Sequence, residues 1–488
     1  MAKVGFGVCF ILISFASSAF SRVILPESTI LDVYASIQKT IDVLSFNPDL
    51  LQEEQEQDNE KEWSYSDFSS SSSFSVKLQS RDTLLKPTHK NYRALTIDRL
   101  ERDSARVKSI ISKLNLDSLH GILKPRQDED IAGPVSSGVK HGSGEYFARV
   151  GVGRPPKPQY LILDTASDIS WLQCAPCMQC YNQTGPIFEP SYSSSFSYIS
   201  CGTQLCRSLG DSGGLAGCSN KTCRYLAFYG DGSYTVGEFV TETLTFDTSH
   251  TSLENIYIGC GHDNRGLFTG AAGLLALGRG SLSFPSQVNA VAFSYCLVDR
   301  DSTFSSDLQF GSGAEPADAI TAPLLSHPLY PTFYYVNLTG ISVGGQLLNL
   351  PQSVFEINPS IPSGVIVDTG TGITRLRADV YLALRDAFVK ATYNLTSAGG
   401  FALFDTCYDL SLETSVSVPS VAFWFPGGKS LVLPAKNLLV PVDDKKTFCF
   451  AFAASNSEVS IIGNLQQQGI RVSFNTATSV VGFSPNRC

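Results

Sequence analysis

Leu161-Ile-Leu-Asp164-Thr165-Ala166-Ser167 and Val365-Ile-Val-Asp368-Thr369-Gly370-Thr371 are two copies of one pattern: three apolar β-formers, Asp-Thr, a small residue and a hydroxyl. Each copy has a downstream partner of two apolar residues and a small one, Leu274-Leu275-Ala276 for the first and Ile461-Ile462-Gly463 for the second. A lone Asp-Thr-Gly-Ser stretch is usually an ordinary turn; two copies with matching flanks mark an internal repeat. Halves related by a pseudo-twofold would bring the two Asp side chains face to face. Carboxylates so placed cannot both ionise cheaply, so one pKa rises and the pair shares a proton. The charged member can take a proton from water while the protonated one polarises a peptide carbonyl. Such a pair hydrolyses an amide with neither a covalent intermediate nor a metal. Ser167 and Thr371, three residues after each Asp, can hydrogen-bond its outer oxygen and hold it in plane.

The rest of the chain suits a β-rich frame for this pair. Its 488 residues call for two lobes plus appendages, and 43% apolar against 17% charged residues excludes wholesale disorder. Forty Gly, 24 Pro and many Ser, Thr, Phe and Tyr favour short strands joined by turns. Tyr146 to Val152 and Tyr160 to Leu163 read as strands. Arg224 to Tyr229, the turn Gly230-Asp231-Gly232-Ser233 and Phe239 to Phe246 read as a hairpin with a Gly-rich tip. Phe333 to Val343 running into Gly344-Gly345 is a second hairpin, and in the second half only Ala378 to Ala391 has a clear helical pattern. A net charge of −9 without a long basic run makes nucleic acid a poor partner.

The N-terminus and the cysteines point to the secretory pathway. Lys3, an apolar run from Val4 to Phe15 and the small residues Ser17, Ser18 and Ala19 have the layout of a signal peptide over residues 1–21. That run is too short to span a bilayer as a helix, and no membrane anchor is expected. Beyond Cys9 there are twelve cysteines: Cys174, Cys177, Cys180, Cys201, Cys206, Cys218, Cys223, Cys260, Cys296, Cys407, Cys449 and Cys488. An even count in an oxidising compartment reads as up to six disulfides, rather than as zinc ligands at Cys174, Cys177 and Cys180. Asn182, Asn220, Asn337 and Asn394 head glycosylation sequons. No cofactor and no metal are expected.

Ahead of the body the composition changes twice. Residues 22–80, with the acidic run Glu53 to Glu62 and the serine tract Ser69 to Ser73, read as disordered. From Arg81 to Arg126 eleven Lys/Arg face five Asp/Glu, and Tyr92 to Leu116 has helical spacing of Leu95, Leu100, Val107, Ile110, Ile111 and Leu114. A basic helix ahead of an acidic body has the look of an inhibitory pro-segment covering the cleft at neutral pH. The expected organisation is a signal peptide at 1–21, a pro-segment at 22–135 with maturation between Arg126 and His141, an N-terminal lobe at 142–325 with a Cys-rich insert at 174–223, and a C-terminal lobe at 326–488.

Over residues 142–488 the chain resembles the pepsin-like aspartic proteases, an all-β, bilobal fold with a few short helices. In that family each lobe supplies one Asp, and a hairpin flap closes over an extended peptide. The cysteine-dense insert, and the lack of an extra domain in the C-terminal lobe, narrow the resemblance to the plant nepenthesin type, including the proteases named for guard cells. The resemblance implies Asp164 and Asp368 as the catalytic pair, Tyr229 and Gly230 at the flap, and Trp171 hydrogen-bonding Tyr229. It also implies the pairings Cys174–Cys177, Cys180–Cys260, Cys201–Cys223, Cys206–Cys218, Cys296–Cys488 and Cys407–Cys449. The expected protein is a monomeric, secreted apoplastic endopeptidase made as a zymogen, acting on polypeptides with an acidic pH optimum.

Ala166 and Ala276 depart from the family, which has Gly at the first position and usually at the second. A methyl there would crowd Asp164, and a positive φ would cost an Ala roughly 1 kcal/mol or more. The rival reading is a catalytically impaired pepsin-fold binding protein that inhibits cell-wall-degrading enzymes. Gly340-Ile-Ser342-Val-Gly344 matches a serine-hydrolase elbow, but it continues as a hairpin and no His follows His327. The six His are scattered singly, so a zinc protease is excluded, and His262 is read as structural.

Overall fold

The computed structural model describes residues 26–45, 73–85, 89–120, 145–246, 251–266, 268–485 and 487–488, those of 116–120 by backbone alone. The signal peptide, the acidic run and the maturation region lie outside the described residues.

The fold is all-β and bilobal, and the two sequence repeats are its two halves. In the first, β3 (Tyr146–Val152) turns into β4 (Lys157–Asp164), which ends on the Asp. Gly273–Ala276 runs parallel beside β4 with Ala276 opposite Asp164, and β5 (Trp171–Gln173) packs antiparallel on that strand. In the second half Gly364–Val367 leads to Asp368 and runs parallel beside Val459–Ile462, while Arg375 of Thr374–Arg377 lies antiparallel to Ile461. Each Asp therefore sits where a buried strand ends between a parallel and an antiparallel neighbour. Continuous apolar runs suit that position, because both faces of these strands are covered.

Local chemistry explains the other legible elements. The hairpin expected with a Gly-rich tip joins Thr222–Phe228 to Tyr234–Phe246, closed at Phe228 opposite Tyr234, and Gly232 at its tip has φ of +88°. Gly344 and Gly345 turn with φ of +55° and +75°, as a two-residue hairpin loop requires. The helix α3 (Ala378–Ala391) buries Val380, Tyr381, Leu384 and Phe388, a single stripe at helical spacing. A sheet shared by the lobes joins Ala292–Cys296, Ser306–Phe310, Ile470–Asn475 and Val480–Pro485.

Residues 22–80 are not uniformly without structure. β1 (Ser28–Asp32) forms a two-stranded antiparallel sheet with Ser415–Pro419, and α1 (Val33–Ser45) follows, burying Val33, Thr40 and Val43. β2 (Phe74–Ser80) lies between Ser306–Phe310 and β3, with Val76 and Leu78 fully buried. Averaged composition hid these runs, each of which gains order by pairing with a strand distant in sequence. The predicted helix is α2, Tyr92–His120.

All twelve expected cysteines are bridged, but four of the six expected pairings are corrected. Cys174 pairs with Cys260, and Cys177 with Cys180; Cys201 pairs with Cys218, and Cys206 with Cys223. β5 runs parallel beside Thr251–Arg265 with Leu172 opposite Cys260, so Cys174 and Cys260 have Cα atoms 5.4 Å apart. Cys206 faces inward from the single helical turn Gln204–Arg207 and meets the buried Cys223, which leaves the more exposed Cys201 and Cys218 to each other. Cys296–Cys488 and Cys407–Cys449 form as expected. Non-reducing digestion that cuts after Leu205 and Lys221 should release peptides linked 201–218 and 206–223; recovery of 201–223 linkage by mass spectrometry would contradict this arrangement.

Candidate active site

The two Asp-Thr turns lock together across the lobe boundary. Thr369 N–H donates to Thr165 Oγ1 at 3.1 Å and Thr165 N–H to Thr369 Oγ1 at 3.3 Å, while Thr369 Oγ1 donates to the Leu163 carbonyl at 3.2 Å. Both Asp side chains are 1% exposed. Asp164 accepts from Ala166 N–H at 2.9 Å and Ser167 Oγ at 2.5 Å; Asp368 accepts from Thr371 N–H at 2.8 Å and its Oγ1 at 2.7 Å. The hydroxyls expected three residues after each Asp thus hold its outer oxygen.

The φ of Ala166 and Ala276 is not positive, so the expected backbone cost does not arise. Ala166 packs in an apolar cluster with Val107, Ile110 and Leu114 of α2, and Ala276 is fully buried with its N–H on Ser170 Oγ. The C-terminal copy has no such latitude: a Cβ on Gly463 would lie 2.7 Å from the Gly372 carbonyl oxygen.

Tyr229, expected at the flap, meets Trp171 and Phe268. Trp171 Nε1 donates to Tyr229 Oη at 2.8 Å, and Tyr229 stacks edge-on with Phe268. His262 bridges Glu238 and the Pro176 carbonyl between strands and insert, far in role from the carboxylates. Of the sequon residues, Asn182, Asn220 and Asn394 are exposed and Asn337 is half-buried.

Covering these groups is α2, whose cations were visible only as a net charge in the sequence. Arg99, Arg102 and Arg106 follow one face of the helix, and each meets a carboxylate. Arg99 bonds Asp82 at 2.5 Å and Asp301 at 2.8 Å, and Arg102 takes Glu145 with two nitrogens, at 2.9 and 3.2 Å. Arg106 reaches both Asp residues: Nη2 lies 2.5 Å from Asp164 Oδ1 and 3.0 Å from Asp368 Oδ1, Nη1 3.2 Å from Asp164 Oδ2, and Nε 3.3 Å from Asp368 Oδ2. Gly370 makes room for this, since a Cβ there would sit 2.7 Å from Arg106 Nε. Ser109 Oγ accepts from the flap's Gly230 N–H at 3.1 Å. Burial alone would raise the Asp164 carboxyl, but Arg106 together with the hydrogen bonds from Ser167 and Ala166 N–H outweighs it and holds the group below the usual carboxylate range.

Residues 146–312 match the family described as Xylanase inhibitor N-terminal, and residues 333–485 the one described as Xylanase inhibitor C-terminal. The chain is similar to Protein ASPARTIC PROTEASE IN GUARD CELL 2 of Arabidopsis thaliana, 46% identical over 422 residues, which cover 86% of this chain and 88% of the relative. It is 39% identical over 359 residues to aspartic proteinase nepenthesin-1 of Nepenthes gracilis, covering 72% of this chain and 80% of that protein. Among solved structures, Basic 7S globulin from soybean shares the fold with a TM-score of 0.55 at 20% identity, over 70% of this chain and 92% of that one.

Thr165→Val would leave the buried Thr369 N–H without its acceptor. A loss of about 1–3 kcal/mol is expected, read as a lower denaturant midpoint at unchanged m-value.

Proposed function

Because the chain belongs to the nepenthesin type of pepsin-like aspartic proteases, and is an aspartic endopeptidase acting on polypeptides, we propose that it is secreted as a zymogen whose catalytic pair is Asp164 and Asp368. The observation that carries this reading is the single guanidinium of Arg106 bonded to both carboxylates. In the resting chain α2 occupies the place of a peptide substrate. Once it leaves, the dyad regains a shared proton that belongs to the pair. The ionised carboxylate takes a proton from the attacking water as the protonated one donates to the scissile carbonyl oxygen. The proton taken from water then passes to the leaving nitrogen as the C–N bond breaks, while one hydroxyl of the gem-diol returns its proton to the other carboxylate and the carbonyl re-forms. Ser167 and Thr371 hold the carboxylate planes, and the flap, with Tyr229 braced by Trp171, closes over the peptide.

Residues 1–21 serve as signal peptide, and residues 22–135 as pro-segment cut between Arg126 and His141. The body is an N-terminal lobe over 142–325 and a C-terminal lobe over 326–488. Six disulfides and exposed sequons support passage through an oxidising compartment to the apoplast, where the protein acts as a monomer.

The pH dependence of release follows from proton linkage. Burial would raise the Asp164 carboxyl, but Arg106 together with the hydrogen bonds from Ser167 and Ala166 N–H lowers it, so the docked state binds fewer protons at this group than the released state. Its contribution to docking is complete above the usual carboxylate range and is lost as pH falls through it. In the freed dyad the two carboxyls share a proton, so release takes up a proton as the pH falls. Asp103 acts in the opposite sense, since burial keeps its carboxyl above the usual range despite Arg375.

Full-length protein should therefore be silent at neutral pH and become active on acidification, with peptide cleavage abolished by a statine-type inhibitor. Asp368→Asn should lower kcat at least about 10³-fold in the processed form. Arg106→Gln should shift the midpoint of activation upward by about one pH unit, equivalent to about 1.4 kcal/mol. Equal activity of the untrimmed protein at neutral and acidic pH would refute the zymogen reading. Absence of cleavage at any pH by folded, trimmed protein would favour a binding protein of the same fold.

A further inference from the structure

One residue on the docked face of α2 carries the opposite charge to its arginines. Asp103, three residues before Arg106, inserts into the wall of the cleft just past the second Asp-Thr turn. Its Oδ1 accepts from Gly372 N–H at 2.7 Å and from Ile373 N–H at 3.0 Å, and its Oδ2 is bonded by Arg375 Nη2. Gly372 lets the carboxylate in close, since a Cβ there would lie 3.2 Å from Asp103 Oδ1. Arg375 is 5% exposed, with its strand fixing it opposite Ile461 and Ala453, and its Nη1 bonded to the Ile373 carbonyl at 3.2 Å. Asn464 and Leu465 line the same part of the cleft.

Departure of α2 would take away the acceptor and leave its three donors in place. Two are backbone N–H groups whose positions are set by the turn that carries Asp368, and the third is a guanidinium in an apolar wall. Donors with this arrangement are complementary to a carboxylate; a neutral amide offers a single oxygen and no charge. The guanidinium places a positive charge in this wall of the cleft, which favours an anionic occupant.

We propose that Gly372 N–H, Ile373 N–H and Arg375 form a substrate subsite selective for an acidic side chain, Asp or Glu, adjacent to the cleaved bond, and that Asp103 fills it in the zymogen. This rests on the reading of α2 as a segment that leaves the cleft. Arg375 is the specificity-determining residue, and it touches the substrate rather than the reacting atoms.

The test uses processed protein, obtained by acid treatment or by cutting at a site introduced between residues 121 and 141. A set of peptides carries Asp or Asn in turn at each position flanking the cleaved bond. The binding and cleavage assays are run at an acidic and at a near-neutral pH, because burial in this pocket raises the carboxyl of Asp103 and a bound peptide Asp meets the same surroundings. At one position Asp should exceed Asn in kcat/KM by at least about tenfold. Arg375→Gln should bring that ratio near one, and Arg375→Lys should restore part of it. The same peptide pairs are titrated calorimetrically onto the processed Asp368→Asn protein, in the presence and absence of Arg375→Gln. Lack of cleavage would count against the protease reading alone, because the binding constants would still decide the subsite. Equal values for Asp and Asn at every position, or a preference that survives Arg375→Gln, would overturn the proposal.

Discussion

Two carboxylates facing each other in a buried floor repel, and in the resting chain a single guanidinium resolves that repulsion. Arg106 carries one positive charge into the space between Asp164 and Asp368, and its planar fork serves both with four contacts. The geometry of the floor exists because the chain repeats itself: each half ends a buried strand on Asp-Thr, and the two Thr side chains bond each other's backbone. The same symmetry that creates the problem of two like charges creates a site that one bidentate cation fits.

The rest of α2 is held by the same kind of interaction. Buried ion pairs gain little net stability over apolar packing, but each is costly to break by removing one partner. Arg99, Arg102 and Arg106 each place a charge where the docked register supplies a carboxylate of the body (Asp301, Glu145 and the dyad), and Asp103 meets Arg375 with the sign reversed. The segment is thereby specified in position more than it is bound by area. Because several of its partners are carboxylates, the docking is responsive to protons in a way that apolar contacts are not. β2 and α1 anchor the segment elsewhere, by strand pairing and apolar burial away from the dyad.

What the sequence discloses follows how local each feature is. The duplicated Asp turns, the flap at Tyr229 and the helices at Tyr92 and Ala378 rest on spacings within one element, and they form where the pattern places them. Which of eleven basic residues between Arg81 and Arg126 reaches the dyad depends on how the whole helix docks, and net charge gives no hint of it. The spacing of Arg99, Arg102 and Arg106 at three and seven residues is the signal that could have singled them out. The disulfides of the Cys-rich insert needed knowledge of which cysteines face inward: Cys201, Cys206, Cys218 and Cys223 permit either pairing by spacing alone. β1 and β2 were obscured by acidic and serine-rich surroundings, since their stability comes from partner strands distant in sequence. Ala166 and Ala276 carried an expected strain that depended on a φ the sequence does not reveal.

The account makes Arg106 the occupant of the site that a peptide transition state would otherwise take. Calorimetric titration of a statine-type inhibitor, at neutral pH, into full-length and processed protein tests this directly. The processed form should bind it, and the full-length form should not until the pH is lowered. Equal binding of the inhibitor to both forms at neutral pH would contradict the account, because the guanidinium and the inhibitor cannot share the two carboxylates.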